Sequence, residues 1–516
     1  MKVDYADERE VAGGADIGLA VYPSRAEFAS IEGYDIAMVY AEVSSDLETP
    51  VSAFMKLRDG DPCFMLESAE GGRTWGRYSF LGFEPGTVAR LEGGGLLLTD
   101  GSGERKIEGD PVRSMFDLVE GVRALVPGDG MPFSGGAVGY FGYDILPYLE
   151  KVRAGRHGAG AAVPEMMFMF PRRLVMFDHL RSRMRLCVLA DAGGSPAERS
   201  LAHDEATGKI HRMAADLEKR LPAGAGISVG DPEAGGDFEG VASNVSREEY
   251  EAMVGRAREY IYSGDAFQVV LSQKFSIPLK ADPLSIYRHL RAGNPSPYMF
   301  YLELPGITLV GSSPEPMVTN RGGRAVIRPI AGTRPRGGNP AADAELASEL
   351  AADEKERAEH IMLVDLARND LGRVSQPGTV EVTSLMEIER YSHVMHMVSE
   401  VEGVLEEGYG NYELLKASFP AGTVAGAPKV RASEIIDELE PEARGPYAGA
   451  VGYLSYSGEM DTCIAIRTVV VHDGLASIQA GAGIVADSVP TREYDETRNK
   501  ARALLRAIRL AGKETR

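Results

Sequence analysis

The sequence predicts an α+β protein in which a strand-rich first part is followed by a part where helices and strands alternate. In the first part, short apolar runs end at turn residues, and the runs 174–178 and 184–189 predict a hairpin. The second part opens with Ser246 followed three residues later by Glu249, the pattern of a capped helix start. At 516 residues the chain exceeds the usual size of one hydrophobic core, and its length allows about two to four domains.

The composition suggests where these domains meet. The segment 191–245 is rich in Gly, Ala, Pro and acidic residues, and we interpret it as a linker or variable segment with a helical interlude at about 199–219. Residues 1–48 are predicted to form a polar leader, 49–190 an N-terminal domain and 246–516 a second domain.

Charge and cysteine content exclude several classes of protein. A formal net charge of -21 provides no positive field for nucleic acid or for an anionic membrane surface, so neither partner is expected. The N-terminus is acidic and no run of about 18 apolar residues occurs, so we expect a cytoplasmic protein without a membrane span. Cys63, Cys187 and Cys463 are too few and too scattered for a disulfide framework or a zinc cluster.

Two helical patterns each carry a pair of carboxylates three residues apart. Glu356 and Glu359 share one helix face, with Cβ atoms roughly 5 to 6 Å apart, and Glu493 and Glu496 repeat the arrangement near the C-terminus. If the two helices converge, their oxygens suit one hard divalent cation such as Mg²⁺. The alternative is that both pairs lie on solvated faces, where bases such as Lys355 neutralise them.

Three further stretches place polar groups where ligands commonly bind. In the loop 329–336, Gly332 lets the backbone approach a ligand and two arginines offer forks for a carboxylate, although an exposed turn explains the pattern as well. The loop 418–431 places Thr423 at a helix N-terminus, where it can cradle an anion. Arg467 follows an apolar run and is expected to have an anionic partner.

Two strand patterns contain polar residues that are either buried or terminal. In the pattern 391–396, His396 is predicted to be the buried histidine, because residues three apart on a strand fall on opposite faces. The pattern 62–68 ends in Glu67 and Ser68, which are either binding groups or a plain strand terminus.

Five strings of residues together resemble the chorismate-utilising enzymes. They are Pro-Ile-Ala-Gly-Thr at 329–333, the helix 356–373, His-Val-Met-His at 393–396, Ala-Gly-Thr-Val-Ala-Gly-Ala-Pro-Lys at 421–429, and the helix start 493–500. The resemblance runs from about residue 47 to 510 and points to the anthranilate-forming members, in particular to the large subunit called component I. It implies a two-domain β-sandwich core with flanking helices, in which the second domain binds chorismate and is catalytic.

The resemblance also implies a set of site residues. Mg²⁺ would be held by Glu359 and Glu496, with Glu356 and Glu493 acting directly or through water. The implied substrate contacts are Gly332, Thr333, Tyr447, Arg467, Gly481, Ala482 and Gly483. The implied catalytic residues are Gln268, Glu315, His396, Thr423 and Lys500. Among these, Glu315 would protonate the departing 4-hydroxyl, His396 would assist the loss of pyruvate and Thr423 would hold anionic groups of the substrate.

The implied reaction converts chorismate and ammonia to anthranilate and pyruvate through 2-amino-2-deoxyisochorismate, the first step of tryptophan biosynthesis. Two positions favour this product. Relatives that make 4-amino-4-deoxychorismate carry Lys in place of Ala331, and relatives that add water carry Lys in place of Gln268. The alternatives are aminodeoxychorismate synthase component I and a catalytically silent regulatory subunit that binds tryptophan.

The ammonia is expected to come from a partner protein. None of the three cysteines lies in a glutaminase-like nucleophile turn. The resemblance implies a separate glutamine amidotransferase subunit, in a heterotetramer of two large and two small subunits. It also implies feedback inhibition by tryptophan, to which the N-terminal domain would contribute. The implied tryptophan-binding residues are Leu66, Glu67, Ser68, Pro297, Tyr298 and Met299.

Overall fold

The computed structural model describes residues 19–514 apart from 61, 69–75, 129, 153–161, 222–225, 228–237 and 392–393. The strands are β1 (Ile36–Ser44), β2 (Cys63–Glu67), β3 (Tyr78–Glu92), β4 (Gly95–Asp100), β5 (Gly103–Ile107), β6 (Ala124–Leu125), β7 (Gly136–Phe141), β8 (Met166–Asp178), β9 (Arg183–Asp191), β10 (Ala242–Ser243), β11 (Gln268–Pro278), β12 (Tyr298–Leu304), β13 (Ile307–Ser313), β14 (Pro316–Arg321), β15 (Arg324–Ile327), β16 (Ile330–Pro335), β17 (Glu381–Arg390), β18 (Val394–Val404), β19 (Gly426–Ala427), β20 (Ala450–Ser455), β21 (Met460–Ile464), β22 (Thr468–His472) and β23 (Leu475–Ile484). The helices are α1 (Arg25–Ala29), α2 (Pro50–Leu57), α3 (Pro111–Glu120), α4 (Leu146–Leu149), α5 (Pro196–Leu217), α6 (Arg247–Tyr262), α7 (Pro283–Gly293), α8 (Pro340–Ala352), α9 (Glu354–Gly372), α10 (Asn411–Ser418), α11 (Gly422–Ala425), α12 (Lys429–Leu439) and α13 (Pro490–Glu514).

Most strands form two sheets that share the long strands β3 and β8. Hydrogen-bonded neighbours follow the order β1, β9, β8, β3, β2, β12, β13, β22, β23, β11 in the first sheet. In the second sheet the order is β5, β4, β3, β8, β7, β20, β21, β14, β15, β18. Pro85 lies opposite Pro171 where the register of β3 on β8 shifts. Because proline has no amide hydrogen to donate, the ladder is interrupted there, and both strands pass from one sheet to the other.

Three apolar clusters place the two sheets between layers of helices. One cluster, which includes Phe300 of β12 and Tyr453 of β20, lies between the sheets. On the other face of the first sheet, Tyr301 packs with side chains of α2, α5, α7 and α13. On the other face of the second sheet, Ala450 packs with side chains of α3, α9 and α10. The prediction of an α+β protein with a β-sandwich core and flanking helices is confirmed.

Strands from both predicted parts of the chain lie side by side in the sheets. Glu67 pairs with Met299, and Tyr140 pairs with Val451. Helix α5, which falls in the predicted linker 191–245, packs against β1 and β9 and contributes to the apolar cluster outside the first sheet. This part of the segment is therefore a packed helix, while the domain limits themselves stay a prediction.

Local features follow the sequence patterns closely. Strands β8 and β9 form the predicted hairpin, with Leu174 opposite Cys187. His396 is buried, as predicted, whereas His393 lies outside the described residues. In the predicted leader 1–48, residues 1–18 also lie outside the described part, and β1 pairs along its whole length with β9. None of the helices described is long and apolar enough to cross a membrane.

Candidate active site

Several of the candidate site residues meet where α9 and α13 approach the ends of β11 and β23. The Gln268 amide at the start of β11 donates to Glu359 Oε1 of α9 over 3.5 Å. Lys500 Nζ of α13 donates to the Gly481 carbonyl oxygen of β23 over 2.9 Å. The two helices and β11 thus contribute side chains to one region, and β23 contributes a backbone carbonyl.

Glu315, in the turn between β13 and β14, is a half-buried acid with one hydroxyl donor. The Thr423 hydroxyl donates to Glu315 Oε1 over 2.8 Å. Burial raises the pKa of Glu315 to about 7, although the Thr423 hydrogen bond and the charges of Lys500 and Arg467 oppose the shift. The residue lines a cavity of about 40 Å³. A carboxyl group with this pKa can donate a proton near neutral pH.

His396 of β18 is buried near the same arginine. Its Nδ1 lies 3.0 Å from Thr333 Oγ1 and 3.3 Å from the Gly332 carbonyl oxygen. Burial lowers the pKa of His396, and the charge of Arg467 lowers it further, so the imidazole is neutral near pH 7. A carbonyl oxygen only accepts, so Nδ1 carries the proton when it bonds to Gly332, and Nε2 is then unprotonated, as a base requires.

The carboxylates of α9 and α13 affect one another electrostatically. Burial raises the pKa of Glu359, and the charges of Glu356 and Glu496 add to the shift. Burial also raises the pKa of Glu493, where the charge of Glu496 acts in the same direction. Lys355 on α9 opposes both shifts. The two helices therefore bring carboxylates of like charge near each other in a partly desolvated place.

This set of oxygens is chemically suited to a divalent cation. Arg334 donates to Glu356 over 3.2 Å and Lys500 lies 2.8 Å from Glu496, so bases neutralise one member of each pair. The other two carboxylates keep the raised pKa values that repulsion and burial produce. Across the residues that the structure describes, no three His, Cys, Asp or Glu side chains are close enough to hold a metal ion in this conformation. An all-oxygen set that repels itself nevertheless fits Mg²⁺.

Glycines in β23 leave room for polar side chains of the site. A Cβ atom on Gly481 would lie 2.7 Å from the Tyr447 hydroxyl oxygen, and one on Gly483 would lie 2.6 Å from Gln268 Nε2. Between them, Ala482 is fully buried, and its methyl group packs in an apolar cluster that includes neither of these polar side chains. Ala482 can therefore reach a ligand on the glycine side only through its backbone.

The two arginines of the loop 329–336 are bound by carboxylates of the protein. Besides its contact with Glu356, Arg334 donates to Asp353 over 2.9 Å. Arg336 donates to Asp343 Oδ2 over 2.8 Å. The structure therefore places Arg334 beside the carboxylate set and pairs Arg336 with Asp343, whose side chain is 10% exposed.

The six candidate tryptophan-binding residues are brought together by the pairing of β2 with β12. Met299 lies opposite Glu67, which is buried and accepts from Arg291 Nε over 3.1 Å and from the Tyr287 hydroxyl. Ser68 Oγ is buried and has no hydrogen-bond partner among the described residues. Native structures seldom leave such a group unpaired, so a ligand atom is one way to satisfy it.

The remaining members of this group connect it to the candidate acid. Leu66 lies opposite Phe300 on β12, and Pro297 directly precedes that strand. The Tyr298 hydroxyl donates to Asp461 Oδ1 over 3.0 Å, and Tyr298 pairs with Ser313, two residues before Glu315. Strands β12 and β13 therefore connect the candidate tryptophan-binding residues to Glu315.

Sequence reasoning missed two ion pairs that are buried beside the site. Lys429 Nζ lies 2.8 Å from Asp370 Oδ2, and Arg444 Nη2 lies 2.6 Å from Glu440 Oε1. The four-residue spacing of Glu440 and Arg444 is the only signal of the second pair in the sequence. Spacing alone cannot distinguish a buried pair from an exposed one.

Comparison with known proteins identifies the family. A family described as chorismate binding enzyme matches residues 61–506. Over 485 residues the chain is 45% identical to anthranilate synthase component 1 of Acetivibrio thermocellus, covering 93% of this chain and 96% of that protein. Over 468 residues it is 46% identical to the Thermus thermophilus protein of the same name, covering 90% and 96%.

Solved structures show the same relationship. The crystal structure of anthranilate synthase component I from Streptococcus pneumoniae matches with a TM-score of 0.73 and 35% identity, over 90% of this chain and 99% of that chain. The menaquinone-specific isochorismate synthase of Escherichia coli shares the fold, with a TM-score of 0.66 and 18% identity over 93% and 97% of the two chains. The family match and the relatives cover nearly all of the sequence, and the chain belongs to the chorismate binding enzymes.

Proposed function

We propose that the chain is the large subunit of an anthranilate synthase, which converts chorismate and ammonia to anthranilate, pyruvate and water. The observation that carries the proposal is that the site holds both a candidate acid, Glu315, and a candidate base, His396. One is a carboxyl group with a pKa of about 7 and the other a neutral imidazole, and both are within the influence of the Arg467 charge. The relatives from Acetivibrio thermocellus and Thermus thermophilus, which are named for this activity, support the same conclusion.

The first step adds ammonia at C2 of chorismate while the 4-hydroxyl departs. Glu315 gives its proton to the hydroxyl, which leaves as water. As the C–N bond forms at C2, both ring double bonds shift, from C1=C2 to C1=C6 and from C5=C6 to C4=C5, and the C4–O bond breaks. The attacking nitrogen then loses a proton to give 2-amino-2-deoxyisochorismate. Thr423 holds the acid in position through its 2.8 Å hydrogen bond.

The second step releases pyruvate and makes the ring aromatic. His396 takes the proton from C2, the bond between the ring and the enolpyruvyl oxygen breaks, and the enolpyruvate takes up a proton to become pyruvate. A neutral imidazole is the form that can accept the C2 proton, and burial keeps His396 in that form.

Chorismate is a dianion, so the acidic chain must supply local positive charge. Arg467 would face one carboxylate of the substrate. Glu359 and Glu496, with Glu356 and Glu493 acting directly or through water, would hold Mg²⁺, which supplies positive charge for the ring carboxylate. The remaining residues proposed to contact the substrate are Gly332, Thr333, Tyr447, Gly481, Ala482 and Gly483. Those proposed to assist catalysis are Gln268 and Lys500.

Two neutral side chains support ammonia as the nucleophile. Gln268 places an amide against Glu359, where relatives that add water carry a lysine. Ala331 of β16 offers no amine that could attack the ring, which disfavours aminodeoxychorismate synthesis. The nucleophile therefore comes from outside the chain.

We further propose that a glutamine amidotransferase subunit supplies the ammonia, in an assembly of two large and two small subunits. Tryptophan would inhibit by binding beside Glu67, Ser68 and Tyr298, where the buried Ser68 hydroxyl offers it a hydrogen bond. As an enzyme of tryptophan biosynthesis, the complex would act in the cytoplasm.

Product analysis of the purified chain tests the reaction. The chain would be incubated with chorismate, Mg²⁺ and an ammonium salt in large excess near neutral pH, where Glu315 still carries part of its proton, and the products separated and identified by mass spectrometry. We expect anthranilate and pyruvate in equal amounts, with none formed when ammonium is omitted. Aminodeoxychorismate or isochorismate as the product would contradict the roles of Ala331 and Gln268, and no turnover would support a silent tryptophan-binding subunit.

A further inference from the structure

Next to the candidate site, Glu440 and Arg444 form a buried ion pair. Arg444 Nε donates to Glu440 Oε2 over 2.9 Å, and Nη2 donates to Oε1 over 2.6 Å. The Arg444 side chain is 1% exposed and that of Glu440 is 4% exposed. Burying two charges has a large desolvation cost, which their attraction offsets only in good geometry. A stabilising role alone is therefore a weak explanation of the pair.

The other donors of Arg444 reach the backbone beside two candidate site residues. Nη1 donates to the Val424 carbonyl oxygen over 2.8 Å, and Nη2 donates to the Val270 carbonyl oxygen over 2.7 Å. Val424 directly follows Thr423 in the chain, and Val270 pairs with Gly483 across the sheet. One guanidinium group thus holds a loop helix and a strand of the site together.

The segment that carries Thr423 has little stability of its own. Helix α11 is four residues long, and no side chain caps its N-terminus at Ala421. Short helices are unstable in isolation because forming the first turn is unfavourable. The position of Thr423 relative to Glu315 therefore depends on contacts from elsewhere in the fold, and the Arg444 hydrogen bond to Val424 is one of them.

Arg444 is itself held in one place. Glu440 Oε1 accepts from the Ser272 amide over 2.7 Å and from the Ser272 hydroxyl over 2.8 Å, which ties the carboxylate to β11. The Arg444 guanidinium also lies over the rings of Tyr143 and Tyr447, at 4.6 and 5.5 Å from their centroids. This guanidinium group is planar and has fixed partners on every side. It therefore suits a positioning role better than the flexible ammonium group of a lysine would.

We propose that Arg444, fixed by Glu440, is a positioning residue that holds Thr423 against Glu315 and so aligns the acid with the departing hydroxyl. It acts through the Val424 backbone. The inference rests on the proposed function of Glu315 as the proton donor.

A double-mutant cycle tests this role with ammonia as the nitrogen source. The variants are Arg444→Lys, Glu440→Gln/Arg444→Gln, Thr423→Val, and each of the first two combined with Thr423→Val. Glu48→Gln/Lys56→Gln is the matched control, because the side chains of Lys56 and Glu48 form an ion pair and are only 10% and 12% exposed. Lys56 also donates to the Leu217 carbonyl oxygen over 2.7 Å. For every variant, kcat, the KM for chorismate and the thermal unfolding midpoint are measured.

We expect both Arg444 variants to lower kcat about 10-fold to 100-fold, with a smaller change in KM, because misplacing a reacting group by about 1 Å has effects of this size. Combining an Arg444 variant with Thr423→Val should lower kcat no further than Thr423→Val alone does, while the control pair should change only the unfolding midpoint. Folded Arg444 variants with unchanged kcat, or effects that multiply with Thr423→Val, would overturn the positioning role alone. If one Arg444 variant fails to fold, the other decides. Full activity of Glu315→Gln would instead overturn the role of the acid, and the inference with it.

Discussion

Two carboxyl groups on either side of β12 have different partners. Glu67, on β2, is bonded through both oxygens to the Arg291 guanidinium, at 3.1 and 3.3 Å, and also accepts from the Tyr287 hydroxyl. Glu315, just beyond β13, accepts from the Thr423 hydroxyl, and burial raises its pKa to about 7. The first carboxylate has a cation in direct contact, whereas the group that contacts the second is the Thr423 hydroxyl.

The difference separates a binding role from a chemical one. A carboxylate bonded to a guanidinium on both oxygens is held in one orientation, which suits recognition of a ligand. A half-buried carboxyl group that accepts from a hydroxyl and has a pKa of about 7 still carries part of its proton near neutral pH, which suits proton transfer. Each role predicts its own response to substitution.

The largest effect is expected for Glu315→Gln. The amide has nearly the same shape but no acidic proton, so kcat with ammonia should fall about 10² to 10⁴-fold, the range for loss of a general acid. The thermal unfolding midpoint should stay close to that of the unsubstituted chain. Steady-state kinetics with anthranilate fluorescence as the readout measures the change. A decrease of less than about threefold would assign proton donation to another group.

A smaller effect is expected for Gly483→Ala. The new Cβ atom would lie 2.6 Å from Gln268 Nε2 and would displace this amide from Glu359. We expect kcat/KM for chorismate to fall about tenfold, because a small misplacement in the site is costly. Gly255→Ala in α6 is the control, since a Cβ there meets nothing within 4 Å. That control should keep its rate and gain about 0.5 to 1 kcal/mol of stability.

The smallest effect is expected on the binding side, for Ser68→Ala. Its hydroxyl has no partner in the described structure, so removal should change the free energy of unfolding by less than about 1 kcal/mol. The tryptophan inhibition constant should rise about twofold to tenfold, the equivalent of one lost hydrogen bond. Ser455→Ala, which removes a buried hydroxyl that donates to the Gly135 carbonyl oxygen, should cost more stability. Unchanged inhibition together with a large loss of stability would show that Ser68 is satisfied within the protein.

The local features of both regions could be predicted from the sequence. The i, i+3 spacing places Glu356 and Glu359 on one helix face, and a two-residue alternation places His396 in the interior, because each follows from the geometry of a single element. The family strings added residue roles that spacing cannot give.

The long-range features could not be predicted in this way. Pairing of Glu67 with Met299 joins residues far apart in the chain, and nothing local specifies that register. The raised pKa of Glu315 arises from burial by several elements at once. Arg444 is recognisable as a buried residue only when its acceptors, the carbonyls of Val270 and Val424, are seen in three dimensions.

The most direct test of the central claim is the pH dependence of kcat/KM for chorismate at a constant concentration of unprotonated ammonia. Because its pKa is raised, Glu315 is protonated below about pH 7 and loses the proton as the pH rises through that value. We therefore predict that kcat/KM falls as pH rises through about 7. In Glu315→Gln, kcat/KM should be low at every pH and should not show this decrease. The same decrease in a fully active Glu315→Gln variant would contradict the assignment of Glu315 as the acid.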